Sequence, residues 1–145
     1  MFKHILVPTD GTELSERAAA SAVELARALG ARITGLYVTV PFHVFTLDGV
    51  VVSDDEDEYE RDAKARADAH LAVVSAAAEK AGVPCEVLSV PGDHPYEEII
   101  RTAKARGCDG IFMASHGRRG VAALLLGSET TKVLTHTDIP VIVYR

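Results

Sequence analysis

The chain has 145 residues, of which 48% are hydrophobic and 25% charged, and its formal net charge is −6 at pH 7. This composition predicts one globular domain over residues 1–145 that needs no disulfide or metal to fold. The acidic balance argues against a nucleic-acid-binding protein, and the longest apolar run, Val121–Leu126, is only 6 residues and too short to cross a membrane.

The first third of the sequence predicts a strand, a helix and a second strand. A short apolar run is followed by Asp10 and Gly11, a pair that favours a turn because glycine tolerates positive φ. Apolar residues then recur every three or four positions, as in a helix with one buried face, until Gly30 stands where a left-handed residue ends a helix. These elements are a strand Ile5–Val7, a helix Leu14–Leu29 and a strand Ile33–Val40.

Residues 42–58 predict no regular element, although they contain the apolar Val50–Val52 and the acidic run Asp54–Glu58. Acidic side chains are favourable at the positive end of a helix dipole, so we interpret the run as the solvated start of the next helix. A dedicated metal site is the alternative, which no other feature of the sequence supports. The helical spacing itself runs from Tyr59 to Ala81, where Gly82 ends it.

The second half of the sequence repeats the alternation. Pro95 is tolerated in the first turn of a helix, and Ser128 is a good N-cap residue for the last one. Residues 115–127 are predicted to form a glycine-rich loop. The elements are a strand Cys85–Val90, a helix that starts at Asp93–Pro95 and stops at Gly107, a strand Gly110–Ala114, a helix from Ser128 to about His136 and a strand Ile139–Val143.

Strict alternation of strands and helices is typical of a mainly parallel sheet with helices on both faces. Right-handed crossovers make such a sheet an open, doubly wound sandwich. The sequence therefore predicts a single-domain α/β fold with five parallel strands. In folds of this kind ligands bind outside the carboxyl ends of the strands, where the strand order reverses.

The predicted location is the cytoplasm. The Ile5–Val7 run is broken by Pro8 and Asp10, too soon for a secretory signal. The two cysteines, Cys85 and Cys108, lack the spacing of metal ligands and are interpreted as small buried thiols in a reducing compartment rather than as a disulfide.

The common phosphate-binding motifs are absent, but one glycine pattern remains. Gly117 is followed by nine residues and then by Gly127–Ser128, at the start of a predicted helix. Glycines let the backbone approach an anion, and the helix start directs N–H groups and a positive dipole end toward it. Turn chemistry in a surface loop explains the same glycines, so this pattern alone leaves both interpretations open.

The sequence resembles the universal stress protein family over essentially its whole length. The matching stretches are His4–Gly11, Gly110–Gly117, Leu126–Ser128 and Ile139–Val143. The resemblance implies a parallel sheet with strand order 3-2-1-4-5, a homodimer and a cytoplasmic role in stress tolerance. It also implies an ATP site, because the binding branch of the family carries G-x2-G-x9-G-[ST].

This sequence departs from that motif at one position. Ala114 stands at the first glycine, Gly117 at the second and Gly127–Ser128 at the end. The additional methyl group of Ala114 is tolerable if the backbone there has negative φ and harmful if the site needs positive φ.

By position, the resemblance implies roles for individual residues. Asp10 is expected beside the ribose or a Mg²⁺ ion, the Val38 backbone at the adenine edge, and Met113 with Ala114 on the ribose side. The phosphates are expected to meet mostly backbone N–H groups of the glycine loop and the last helix. The predicted nucleotide-binding residues are Pro8, Thr9, Asp10, Val38, Met113, Ala114, Gly117, Arg118, Gly127, Ser128, Glu129 and Thr130.

Several of these residues have a simpler interpretation. Asp10 fits a turn residue at the start of a helix, and Arg118 with Arg119 fits a solvated basic pair as well as a phosphate-neutralising one. His116 is expected to make a structural hydrogen bond. The histidines lack zinc-ligand spacing and no nucleophile elbow is present, so no catalytic residue is predicted.

Three functions remain in competition at this stage. The first is a regulatory protein that binds ATP, or ADP or AMP, with Mg²⁺. The second is an enzyme, either a slow ATPase or a nucleotidyl transferase. The third is a dimeric interaction module without a required ligand. No general base and no lysine for the γ-phosphate is evident, which disfavours the second. The last strand, Ile139–Tyr144, is apolar on both faces and forms an edge in the family's sheet order, which predicts a homodimer through that strand.

Overall fold

The computed structural model describes residues 1–42, 45–47, 50–52, 56–117 and 126–145. Those residues form seven strands and four helices. The elements are β1 His4–Pro8, α1 Glu13–Leu29, β2 Arg32–Thr39, β3 Phe45–Leu47, β4 Val50–Val52, α2 Glu56–Ala81, β5 Cys85–Pro91, α3 Pro95–Ala105, β6 Gly110–Ala114, α4 Ser128–His136 and β7 Val141–Tyr144.

The main sheet has five parallel strands in the order β5-β2-β1-β6-β7. Counted along the five predicted strands this is 3-2-1-4-5, so the predicted α/β fold is confirmed. Successive residues of a strand face opposite sides of the sheet. Accordingly Ile5 and Val7 pack toward α1 and α2, whereas Leu6 packs toward α3 and α4. The helices therefore cover both faces.

The segment before α2 and the start of α2 differ from the sequence prediction. Phe45–Leu47 and Val50–Val52 pair as a separate two-stranded antiparallel sheet, where no regular element was expected. Helix α2 begins at Glu56 rather than Tyr59, because the acidic residues of its first turn suit the positive end of the helix dipole. The prediction that the acidic run starts the helix is thus confirmed from Glu56 onward, and Asp54 and Asp55 lie outside the described residues.

The helix ends follow the predicted glycine chemistry. Gly30 ends α1 with φ 64°, and Gly82 and Gly107 follow α2 and α3 with φ 69° and 66°. Both cysteines are free thiols. Burial raises the pKa of Cys108 to about 11, so this thiol stays protonated at neutral pH and is not a reactive nucleophile.

A buried histidine lies at the opposite end of the sheet from the strand ends that could bind a ligand. His4 is only 4% exposed, and its Nε2 lies 2.7 Å from the Thr34 hydroxyl, which donates to Glu86 at 3.0 Å. Since that hydroxyl proton is used, Nε2 donates to the Thr34 oxygen. The Nδ1 atom has no hydrogen-bond partner among the described residues.

We expect this histidine to make the protein less stable in mild acid. Burial and the Arg32 charge lower the pKa of His4 below its ordinary 6.5, against the opposing charges of Glu86 and Asp109. The unfolded state therefore binds the proton at a higher pH than the folded state does. The contribution of neutral His4 to the free energy of unfolding is fully present above pH 6.5 and is lost as the pH falls toward the folded-state pKa. Urea unfolding at a series of pH values should show that acid lowers the free energy of unfolding less in His4→Gln than in the parent. An identical pH dependence in the two proteins would contradict this assignment.

Candidate functional site

The sheet order reverses between β1 and β6. From β1 the polypeptide passes to β2 on one side, and later returns to β6 on the other. The carboxyl ends of these two strands, at Pro8 and Ala114, consequently open a crevice with no crossover connection above it, the usual ligand position in such sheets. The two segments singled out in the sequence leave the sheet at these ends.

The first segment turns sharply into α1. Gly11 has φ 79°, as the predicted turn requires. The Oδ1 atom of Asp10 accepts from the Thr12 amide at 3.0 Å and from the Thr12 hydroxyl at 2.7 Å. Asp10 is therefore a turn residue at the start of α1, and one of its carboxylate oxygens is committed to that task.

The second carboxylate oxygen of Asp10 faces the glycine loop. A Cβ atom added to Gly117 would lie 2.5 Å from Oδ2 of Asp10. The loop backbone at Gly117 therefore lies close to the Asp10 carboxylate. The fold thus brings together Asp10 and Gly117, which are far apart in the sequence.

Gly127 is needed for close packing rather than for an unusual backbone angle. Its φ is −74°, which any residue can adopt. Its amide donates to the Ser115 carbonyl at 2.7 Å, and an added Cβ would lie 3.0 Å from the His116 Cα. Gly127 is the N-cap of α4, so the expectation that Ser128 caps this helix was wrong by one residue. The glycine backbone fits against the loop, and exposed Ser128 becomes the first helical residue.

Helix α4 presents its N-terminus to the crevice. The amides of its first turn have no acceptor within the helix, because the first intrahelical bond runs from Thr131 to the Gly127 carbonyl at 3.0 Å. The Thr130 hydroxyl donates to the Ala114 carbonyl at 3.0 Å, which fixes this helix end to the end of β6. Amides without an acceptor inside the helix and a positive dipole end so placed favour an anion.

The departure at Ala114 costs the site nothing in backbone strain. Ala114 is a strand residue paired with Tyr144, so its backbone is extended. Its methyl group is buried in the core on the α1 side, and the side chain of Met113 is buried in the core on the α3 side. Both residues can offer only backbone atoms to a ligand.

The other predicted residues are distributed around these elements. Thr9 is buried, with its amide bonded to the Leu36 carbonyl at 2.9 Å and its hydroxyl 3.1 Å from that of Ser15. Val38 lies near the end of β2 with its side chain in the core on the α3 side. Arg118 and Arg119 lie outside the described residues.

Glu129 is held by α3 and by its own helix. Its carboxylate accepts from the Tyr96 amide at 2.9 Å, at the N-terminus of α3, and from the Lys132 ammonium at 3.3 Å. A carboxylate held in this way is partly neutralised, so its charge opposes an anion at the α4 N-terminus less than an unpaired one would.

His116 and Ser115 make the structural contact expected of the histidine. The His116 Nδ1 lies 3.2 Å from the Ser115 hydroxyl. Across the described residues, no group of three or more histidine, cysteine or acidic side chains could hold a metal ion by itself. A Mg²⁺ ion here would need ligand oxygens from a bound phosphate in addition to Asp10.

Sequence reasoning missed the contribution of α2. The His70 ring lies directly on Gly11, where a Cβ atom would collide with it, and it stacks on Tyr37 with ring centroids 5.7 Å apart. Beside this pair a cleft of about 100 Å³ opens along the end of β2. The cleft is lined by Tyr37, Val38, Thr39, Val40, Tyr59, Ala63 and Arg66.

A signal for this surface was present in the sequence. Tyr59, Ala63, Arg66 and His70 are separated by four, three and four positions, which places them on one helix face. Only the apolar members of that face were used to predict the helix. The polar members point to the same strand ends as Asp10.

The comparisons with known proteins identify the family. The sequence model of the universal stress protein family matches residues 1–145. The chain belongs to the universal stress protein family. It is 33% identical to the universal stress protein YxiE of Bacillus subtilis, over 100% of both proteins.

Solved structures share the fold. The protein MJ0577 of Methanocaldococcus jannaschii superposes with a TM-score of 0.80 at 28% identity, over 99% of this chain and 96% of that one. A universal stress protein solved in complex with cAMP superposes with a TM-score of 0.73 at 24% identity, over 99% and 97%. Family structures from Arabidopsis thaliana with AMP bound and from Archaeoglobus fulgidus with dAMP have TM-scores of 0.69 and 0.64.

Within the residues that the structure describes, no helix is able to span a membrane.

Proposed function

We propose that this member of the family is a cytoplasmic stress-response protein that binds an adenine nucleotide, ATP with Mg²⁺ in the first place, as a regulatory ligand. The observation that carries the proposal is the meeting of Asp10, Gly117 and the α4 N-terminus at the point where the sheet order reverses. The adenine nucleotides held by other proteins of this fold support the choice of ligand class.

The residues present fit such a ligand. The amides of Gly117 and of the first turn of α4 are suited to phosphate oxygens, because glycine leaves room for close approach and the helix end is electropositive. Oδ2 of Asp10 is on the same side as Gly117, where it could accept from a ribose hydroxyl or contact a phosphate-bound Mg²⁺ ion. The backbone of Val38 supplies an N–H and a C=O for a base edge.

Regulatory binding is favoured over turnover. The carboxylates described around the crevice are engaged by protein donors: Asp10 by Thr12, and Glu129 by Tyr96. A general base must be within reach of an attacking water, and neither carboxylate is arranged primarily for that purpose. We therefore propose binding and assign no catalytic residue.

Self-association is the second part of the proposal. Strand β7 has β6 as its neighbour in the main sheet, and the four residues Val141–Tyr144 are all half-buried and apolar or aromatic. The opposite edge, β5, carries the exposed Glu86, a charge of the kind that protects an edge strand from pairing. We infer a homodimer in which two β7 strands meet about a two-fold axis.

ATP with Mg²⁺ is expected to raise the melting temperature by mass action. At a free concentration 100 times the Kd, a ligand that binds only the folded state adds about 2.7 kcal/mol. For a protein of this size that corresponds to a rise of about 5–10 °C. Thermal unfolding with and without millimolar ATP and Mg²⁺ measures it.

Nucleotide carried through purification is the control for this experiment. The parent protein is first denatured, and any released small molecule is identified by mass spectrometry. A folded sample free of nucleotide that shows no shift at millimolar ATP would reject the site. CTP, which has the same phosphates, tests whether the base contributes to binding.

A further inference from the structure

The face of α2 that looks toward the strand ends is polar where a core face would be apolar. Tyr59 donates from its hydroxyl to the Val40 carbonyl at 3.0 Å, so it ties α2 to the end of β2. Arg66 lies four positions before His70 and lines the cleft formed with β2, and His70 itself lies on Gly11. This surface therefore extends from the cleft to the turn that carries Asp10.

Arg66 differs from the other basic residues of this part of α2. Arg61 donates to the Asp57 carbonyl at 3.1 Å, and Lys64 forms an ion pair with Asp68 at 2.7 Å. Arg66 has neither a hydrogen bond nor an ion pair within the part of the protein that the structure describes. Its guanidinium, with five donors in a planar fork, is available to a molecule that enters the cleft.

The cleft lies at the end where a nucleotide base is expected. It includes Val38, whose backbone offers one N–H and one C=O. Tyr37 and Thr39, the flanking residues of β2, also line it, although the Tyr37 ring is buried against His70 and the Thr39 hydroxyl donates to the Val90 carbonyl. A purine at this end of β2 can have its edge hydrogen-bonded by that backbone, and the Arg66 guanidinium lines the same cleft.

We propose that Arg66 is a base-recognition residue, which donates from its guanidinium to a ring nitrogen of a bound purine. This inference rests on the proposed nucleotide function. Adenine presents a donor and an acceptor on its Watson–Crick edge, which a backbone C=O and N–H complement, and it retains acceptor nitrogens at N3 and N7. A cation that only donates matches one of those acceptors.

The test is the loss of base recognition in Arg66→Met. Affinities for ATP, 7-deaza-ATP and 3-deaza-ATP are measured by calorimetry on the parent protein, on Arg66→Met and on the control Arg61→Met, which removes the same charge from the same helix. We expect ATP to bind about tenfold more weakly to Arg66→Met, the effect of one lost charge-assisted hydrogen bond, and equally well to the control. The parent should bind one of the two deaza analogues more weakly than it binds ATP. The Arg66→Met substitution should not weaken the affinity for that analogue any further.

The outcomes separate this inference from the one on which it rests. A parent that binds ATP, with an Arg66→Met variant that binds it equally well, overturns the role of Arg66 and leaves the nucleotide site standing. A variant that loses the same factor for ATP and for both analogues also overturns it, since the effect is then one of charge alone. A parent that binds no nucleotide overturns both the role of Arg66 and the nucleotide site. Arg66 is exposed, so the melting temperature of the unliganded variant should stay at the parental value.

Discussion

Replacing Gly127 by valine is expected to abolish nucleotide binding. The Cβ of any larger residue would lie 3.0 Å from the Cα of His116 and 3.3 Å from the Ser115 carbonyl oxygen, both of them backbone atoms that cannot move aside cheaply. The helix end must then shift away from the loop, and the first-turn amides no longer converge on an anion. Loss of two charge-assisted hydrogen bonds weakens affinity by roughly a hundredfold or more. Calorimetric titration with ATP and Mg²⁺ measures the loss.

Matched variants separate the site from general stability. Gly30→Val introduces a β-branched residue at φ 64° at the other end of the sheet, so it destabilises the fold without touching the crevice. It should bind ATP with the parental affinity. Circular dichroism of Gly127→Val should remain largely native, because the collision is local. ATP binding by Gly127→Val as tight as that of the parent would show that the phosphates lie elsewhere.

Asp10 offers a graded comparison within the same experiment. Asp10→Asn keeps an oxygen for the Thr12 amide and removes the charge near Gly117, so the turn into α1 survives. The nucleotide affinity should fall by less than in Gly127→Val. The reverse order would assign the main contact to Asp10 rather than to the α4 N-terminus.

The double substitution Val141→Pro with Val143→Lys is expected to convert the proposed dimer into a monomer. The amides of Ile111 and Ser115 donate to the carbonyls of Pro140 and Tyr144, so alternate residues of β7 face β6. Val141 and Val143 consequently direct their backbone groups outward, toward a second copy. Proline at 141 removes an outward donor and leaves the β6–β7 ladder intact. Lysine at 143 replaces apolar contact by a charge that meets its own copy across the axis.

The dimer dissociation constant should rise by roughly a hundredfold, from the lost amide donors and the lost apolar burial. Light scattering at micromolar concentration measures the proportions of dimer and monomer. Val87→Lys is the matched control, since it places the same charge on the opposite edge strand, β5, at a valine that is 39% exposed. A parent that is monomeric at this concentration refutes the interface. A double variant that stays dimeric, with a monomeric Val87→Lys, moves the interface to β5.

Local chemistry made much of the fold predictable. Glycines 30, 82 and 107 end helices because the left-handed backbone they adopt is costly for other residues, and this cost depends only on neighbouring positions. Strand and helix periodicities likewise depend on nearby residues, so the five strands of the sheet and the four helices were found with small errors at their ends. The hairpin of β3 and β4 was missed because two short strands in an irregular segment carry no sustained alternation.

The segments that form the candidate site could be predicted from the sequence, but most contacts between their residues could not. Asp10, Gly117 and Gly127 were named from the sequence, and the fold places them around one crevice. The turn role of Asp10 was one of two open interpretations, and the structure assigns it to one carboxylate oxygen. The reason for glycine at 127 is a close approach to His116 that no local pattern encodes.

The doubly wound α/β fold and the resemblance to the universal stress protein family could be read from the order of residues, because element periodicity, helix-ending glycines and ordered motifs are properties of neighbouring residues. Which side chains meet depends on helix packing: Glu129 contacts the α3 N-terminus, His70 contacts Gly11, and Arg66 lies at the end of β2. Those contacts depend on the distances and angles at which helices pack on the sheet. Such angles are set by the whole core, and a shift of one helical turn would pair each of these residues with a different neighbour.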